Sequence, residues 1–166
     1  MPLSIVTFPH TVLTQPTRKV ARITNEVSRL IEAMIATMRR HPRCVGLAAP
    51  QVGSDWRIAV MDASHHPRVG STHGLLVLVN PVVELAPEAS IQREGCLSVP
   101  DFTANVRRAT RVRLTAQDRS GSVYQRSLEG FEAIVAQHEV DHLNGQLFLD
   151  RVVNLATDVF RRKAYG

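Results

Sequence analysis

FEAIVAQHEVDHLNG, Phe131 to Gly145, is the stretch from which the rest of the chain is read. Residues three and four apart share a helix face. Phe131, Ile134 and Val135 precede His138 by seven, four and three positions, and His142 follows it by four. The spacing predicts a helix over Phe131 to Leu143, with Gly145 as the residue just past its end. Both histidines fall on its apolar face and point inward. A lone inward histidine is ordinarily a hydrogen-bonded core residue. Two of them one turn apart, with Glu139 directly after the first, form the HExxH signature of metal hydrolases.

Two imidazoles do not complete a catalytic metal site, which usually has three protein ligands and an open position. A thermolysin-like site needs a downstream glutamate, and none occurs after Glu139. A metzincin site needs a third histidine three residues beyond Gly145, where Phe148 stands. The remaining candidates are thiolates. Cys96, in EGCLS (Glu94 to Ser98), is favoured; Cys44, beside the Gly/Ala-rich GLAAPQ, competes with it. Otherwise either cysteine is a small buried hydrophobe. A Cys/His/His set suits Fe(II), Zn(II), Co(II) or Ni(II), which accept both sulfur and imidazole.

The 166 residues suit one domain, 1–166, and the 44% hydrophobic and 21% charged residues are ordinary globular composition. Net charge is +5 and nearly all the cations are Arg, a mild bias toward polyanionic surroundings such as ribosomal RNA. No nucleic-acid-binding motif accompanies it. MPLSIVTFPH has no charged n-region or long apolar h-region, and no apolar run is long enough to span a membrane. The expected setting is therefore the cytoplasm, with both cysteines reduced.

Pro2, Pro9 and Pro16 mark the first twenty residues as an extended arm. Thr24 is a helix N-cap, Ile23 to Met38 carries helical spacing, and Arg39-Arg40 before Pro42 stops the helix. Strands are predicted over Arg57 to Asp62, Leu75 to Leu85, Arg111 to Asp118 and Val123 to Leu128, the last two joined by a turn at Ser120-Gly121. Ala63 to Gly74 is a surface loop. A short strand at Leu147 to Leu149 and a last helix over Leu155 to Lys163 complete the chain. Strands flanked by helices without βαβ alternation indicate an α+β fold with mostly antiparallel sheet. His10, His41, His65, His66 and His73 are assigned to surface or loop positions.

GLAAPQ (Gly46 to Gln51), EGCLS (Glu94 to Ser98) and QHEVDHLNG (Gln137 to Gly145), in this order and at these separations, resemble the three signature motifs of the peptide deformylase family. The resemblance spans nearly the whole chain. It implies antiparallel sheets packed around the HExxH helix, and a metal held by Cys96, His138 and His142, against Cys44. The implied activity is removal of the formyl group from the N-terminal formyl-methionine of new polypeptides, releasing formate. Fe(II) is the implied native ion, with Zn(II), Ni(II) and Co(II) as substitutes; the ribosome is a candidate partner on the basic charge balance alone. Glu139 would move protons between water and the leaving amine. Gln51, through its side-chain amide, and Leu97, through its backbone N–H, would hold the oxyanion. The Gly46 segment would pair with the peptide main chain. Val45, Ile134 and Val135 would line the methionine pocket, or serve as plain core. Glu94, Arg108 and Asp141 are candidates for orienting the ligand histidines.

Two positions depart from the family pattern. Cys44 stands where a glycine usually opens the first motif, and Thr103 where an arginine usually follows the metal cysteine by seven. Both bear on the substrate groove rather than on the metal or proton chemistry. Two other functions use the same residues differently: an amidase for a small formamide, and a degenerate ribosome-binding module supported by the basic end FRRKAYG (Phe160 to Gly166). The intact Gln51, Cys96, His138, Glu139 and His142 argue against the module.

Overall fold

The structure, a computed structural model, describes residues 2–67 and 72–162. Its elements run α1 (Asn25–Arg40), β1 (Gly46–Ala48), β2 (Ile58–Asp62), β3 (Leu75–Leu85), β4 (Ala89–Cys96), β5 (Val99–Ala109), β6 (Arg111–Gln117), β7 (Val123–Glu129), α2 (Gly130–Leu143) and β8 (Val159–Arg161). Short 3-10 turns lie at Thr11–Thr14, Ala49–Val52 and Phe148–Arg151.

One sheet has the order β1-β2-β3-β6-β7, the other β4-β5-β8, and every pairing between these strands is antiparallel. Successive side chains of a strand point to opposite faces. On β2, Ala59 and Met61 join one core cluster with Ala133, Val135, Ala136 and Leu143 of α2. Ile58 and Val60 join another with Ile31, Met34, Ile35 and Met38 of α1. The five-stranded sheet is therefore covered by a helix on each face, and that is why β2 and the first half of β3 read as continuous apolar runs. A third cluster joins Leu13 of the arm to Val99, Ala104 and Val106 of β5 and to Leu147 and Phe148.

The ends of the helices are tied down. Thr24 Oγ1 accepts from Val27 N at the start of α1. At the end of α2, the Leu143 carbonyl accepts from Thr17 N and Oγ1 of the arm at 3.0 and 2.7 Å. Gly145 follows in the left-handed region at φ 77°.

Two predicted elements are corrected. Leu147 to Leu149 forms no strand; a 3-10 turn occupies Phe148–Arg151 instead. The helix predicted over Leu155 to Lys163 is a turn followed by β8, with Lys163 outside the described residues. Leu155, Val159 and Phe160 imitate helical spacing, but β5 offers an open edge of unpaired N–H and C=O groups, and the chain end pairs with it. The β4–β5 hairpin was not predicted. β4 buries only Glu94 and Cys96, and β5 carries Pro100 and a buried arginine, so neither shows apolar alternation.

Candidate functional site

α2 has almost no polar face. Apart from His138, every residue from Glu132 to Leu143 is buried, including Glu132, Gln137, Glu139, Asp141 and His142. Buried polar atoms require partners, so the pairing of these side chains separates structural ones from those left for chemistry. Gln137 bonds both backbone atoms of Ala109, accepting from N at 2.9 Å and donating to O at 2.8 Å. Asp141 accepts from Arg108 Nη1 at 2.6 Å and from Arg151 Nη2 at 2.9 Å. Glu132 holds the loop after β2 through Thr72 Oγ1, His73 N and His73 Nδ1. Among the described residues, Glu139 Oε1 and His142 Nδ1 have no hydrogen-bond partner.

The β4–β5 hairpin brings Cys96 to these residues. Cys96 Sγ lies 3.3 Å from His142 Nε2. One donor atom each from Cys96, His138 and His142 fall within 4.8 Å of one another. A thiol and two imidazoles converging inside the fold fit a borderline divalent ion. Cys44 is not in this group. It lies on the cavity wall, half-buried, and its thiol donates to Gly46 O at 3.1 Å. Burial, with the nearby Glu139 adding, pushes the Cys44 thiol up to about 12, which keeps it protonated at neutral pH.

Glu94, on β4, organises the surroundings. It accepts from Arg108 Nε and Nη2 at 2.7 and 2.9 Å and meets His138 Nδ1 at 2.8 Å. Burial alone would raise the Glu94 pKa, but the bonds and charges of Arg108 and His138 outweigh it and hold it at about 2. An ionised carboxylate can only accept, so His138 carries its proton on Nδ1 and turns the Nε2 lone pair to the site when neutral. The three acids and bases proposed from sequence thus form one buried chain, Glu94–Arg108–Asp141, and Arg151 extends it to the surface.

Glu139 is buried against Gly46. A Cβ on Gly46 would come within 2.5 Å of Glu139 Oε2, so the glycine makes room for the carboxylate. Burial raises the Glu139 pKa to about 7, with Glu94 and Asp141 adding and His138 and Arg108 opposing. A carboxyl poised there can both take and give a proton near neutrality. Gln51 is buried with Oε1 accepting from Ala48 N at 3.0 Å. This fixes the amide so that Nε2 points at Cys96 Sγ and Ser98 Oγ, each at 3.3 Å.

A cavity of about 580 Å³ opens over these groups, with Val45, Gly46, Gln51, Leu97, Ile134, Val135, His138 and Glu139 in its wall. Of the catalytic, metal-ligating and substrate-contacting residues proposed from sequence, all but His142 reach this cavity, and His142 lies directly behind it against Cys96. Sequence reasoning missed Ser98, Gln137 and Arg151; the first two lie inside the quoted motifs, while only the fold links Arg151 to Asp141. Two histidines assigned to loops have partners there: His73 pairs with Glu132, and the His66 ring stacks on Phe131 at 4.0 Å between centroids and lines the cavity.

Residues 2–158 match the profile of the family described as polypeptide deformylase. The chain is 43% identical to a peptide deformylase of Desulfosudis oleivorans over 97% of its own length and 91% of that protein. It is 41% identical to peptide deformylase 1 of Pseudomonas syringae over 97% and 93%. Among solved structures, a peptide deformylase from Thermotoga maritima superposes with a TM-score of 0.83 at 36% identity, covering 93% of this chain and 99% of that one. A class I type b peptide deformylase from Acinetobacter baumannii, solved with Met-Ala-Ser bound, gives 0.85 at 34% identity, covering 92% and 99%.

Proposed function

This chain belongs to the polypeptide deformylase family, and from that premise we propose which of its residues carry the reaction and which ion they hold. It is a metal-dependent hydrolase that removes the N-formyl group of formyl-methionyl polypeptides, releasing formate. We assign the ligands as Cys96, His138 and His142, on α2 as the central helix of one catalytic domain spanning residues 1–166. The observation that carries this is the convergence of three donor atoms beside a buried carboxylate with one unpartnered oxygen. Fe(II) is the proposed native ion, with Zn(II), Ni(II) or Co(II) able to take the same thiolate and imidazoles.

When bound, the ion supplies Lewis acidity, lowering the pKa of water toward neutrality and polarising the formyl carbonyl. Glu139 takes the proton of the attacking water and returns one to the amine nitrogen as the C–N bond breaks. Gln51 Nε2, its direction set by Ala48 N, donates to the developing oxyanion together with Leu97 N–H. Each such donor contributes on the order of 3 kcal/mol to the transition state. Glu94 holds the tautomer of His138.

The peptide lies along β1. Val45 O accepts from Asp62 N and so faces β2, which turns Gly46 to the open edge of its sheet, where a strand can be added. Val45, Ile134 and Val135 receive the methionine side chain. The Met-Ala-Ser bound to the Acinetobacter baumannii protein supports a peptide in the corresponding groove. The cytoplasm, where new formylated chains emerge from the ribosome, is the proposed setting. Among the described residues no helix is long and apolar enough to cross a membrane.

The test is formate release from formyl-Met-Ala-Ser under anaerobic conditions, with metal content measured on the same sample. Glu139→Gln is expected to lower kcat by about 10²- to 10⁴-fold with metal content unchanged. Full activity in that variant overturns the assigned proton carrier, and activity on small formamides alone would move the enzyme to the amidase class.

A further inference from the structure

Cys44 stands where the family pattern opens its first motif with glycine, and its side chain lines the cavity beside Val45 and Gly46. β1 is the outermost strand of its sheet, and Asp62 N donates across from β2 to Val45 O at 2.8 Å. Hydrogen-bonded and non-hydrogen-bonded positions alternate along an antiparallel pair. Gly46, opposite Met61, therefore turns its own N–H and C=O away from β2, to the open edge. The Cys44 thiol donates to that Gly46 carbonyl at 3.1 Å, so Sγ sits beyond the oxygen, on the side where a peptide strand would add.

The spot adjoins groups built for a ligand. Gly46 packs against Glu139, whose buried Oε1 has no hydrogen-bond partner among the described residues, and Glu139 lines the same cavity. Burial keeps the Cys44 thiol protonated at neutral pH, so its S–H is there to donate. A thiol is a weaker donor than a peptide N–H. A peptide main chain arriving at the open edge of β1 thus meets its acceptor already covered, by a group it can displace.

We propose that Cys44 sets the affinity for peptide: its thiol caps Gly46 O, the acceptor a formyl-methionyl peptide uses when it adds to β1, and is displaced as the peptide binds. The proposal rests on the deformylase reading of the cavity, with the peptide running along β1. Every peptide breaks the same thiol bond whatever its side chains. The cap therefore weakens main-chain recognition uniformly and leaves discrimination to the methionine pocket. An interaction lost equally from bound substrate and transition state changes KM and leaves kcat alone. The competing view is that Cys44 only fills space against the core cluster under α1, where it also packs.

The experiment measures formate release from formyl-Met-Ala-Ser by the metal-loaded protein and by its Cys44→Ala and Cys44→Ser variants, with metal content determined on each. Cys44→Ala removes the donor and is expected to lower KM about two- to ten-fold, the range of one neutral hydrogen bond, with kcat unchanged. Cys44→Ser keeps a donor, and a stronger one, so its KM should stay at or above that of the unmodified protein. A second readout needs no variant. With metal bound, Cys96 is a thiolate, and Cys44 carries the one S–H group of a chain with two cysteines. The product Met-Ala-Ser, added until its inhibition of turnover saturates, should move the S–H stretching band to higher frequency as the thiol leaves Gly46 O. An unchanged or raised KM in Cys44→Ala, an equal fall in Cys44→Ser, or a band that product leaves in place overturns the proposal while deformylation stands. Absence of turnover by every metal-loaded form instead overturns the deformylase assignment, and this proposal with it.

Discussion

Gly46 shows how much can depend on a single hydrogen atom in place of a methyl group. The sequence suggests that it lets another backbone approach; the structure adds that its bare Cα faces the Glu139 carboxylate. The atoms that Gly46→Ala would crowd belong to the mobile end of a side chain, Oε2 at 2.5 Å and Cδ at 2.9 Å, rather than to backbone. The carboxylate would swing away and the fold would survive. A displacement of this size at a proton carrier is worth on the order of 10²-fold in rate. Gly46→Ala is therefore expected to lose about that much kcat/KM while keeping its metal and its thermal midpoint; an unchanged rate would mean that Glu139 does not need its observed position. The two cysteines make the same point about neighbourhood. Cys44 and Cys96 both lie close to a glycine in the sequence, where spacing favours Cys96 and the resemblance decides for it. In the fold one thiol meets two imidazoles and the other meets a carbonyl oxygen.

At the scale of elements, α1, α2 and strands β2, β3 and β6 were legible because each buries a repeating set of apolar side chains, a local property of the chain, and β7, which buries only Leu128, was legible from its strand-like residues and the Ser120-Gly121 turn before it. β4 and β5 were not, because their stability comes from partners elsewhere: Arg108 is buried by virtue of Glu94, fourteen residues earlier, and Asp141, thirty-three later. Nothing local marks such an arginine as interior. Tyr124 gives an element-scale prediction. From β7 its hydroxyl donates to Val77 O of β3 at 2.6 Å, spanning the intervening β6. Burial raises its pKa to about 12, with Arg126 opposing and Asp118 adding. A folded-state pKa above the unfolded value of about 10 means stability that is complete below that pH and is lost as pH rises through about 12. Thermal unfolding followed across this alkaline range should show a steeper fall for the unmodified protein than for Tyr124→Phe. Parallel curves would show that the phenol is not what alkali titrates.

At the scale of the whole molecule, the two ends of the chain close the structure around the site. β8 completes the second sheet, and the N-terminal arm runs beneath the end of α2, where Gly145 meets the Gln15 backbone. A Cβ at Gly145 would stand 2.8 Å from Gln15 C, and φ is 77°, so Gly145→Ala meets both strain and rigid backbone. It is expected to cost more than about 1 kcal/mol, read as a lower thermal midpoint with turnover retained in the folded fraction; an unchanged midpoint would show that the arm yields freely. By itself the sequence determined the helix that carries His138, Glu139 and His142, the strands with apolar runs or alternation, and, through its three motifs, the family resemblance, because these depend on residues close together along the chain. Only the tertiary structure decided how the polar residues of α2 divide between structure and chemistry, that the C-terminal segment is a strand, and that the Cys44 thiol meets Gly46 O. Those outcomes depend on which open edge, empty space or buried charge a segment meets after folding, and such encounters join residues that share no local pattern.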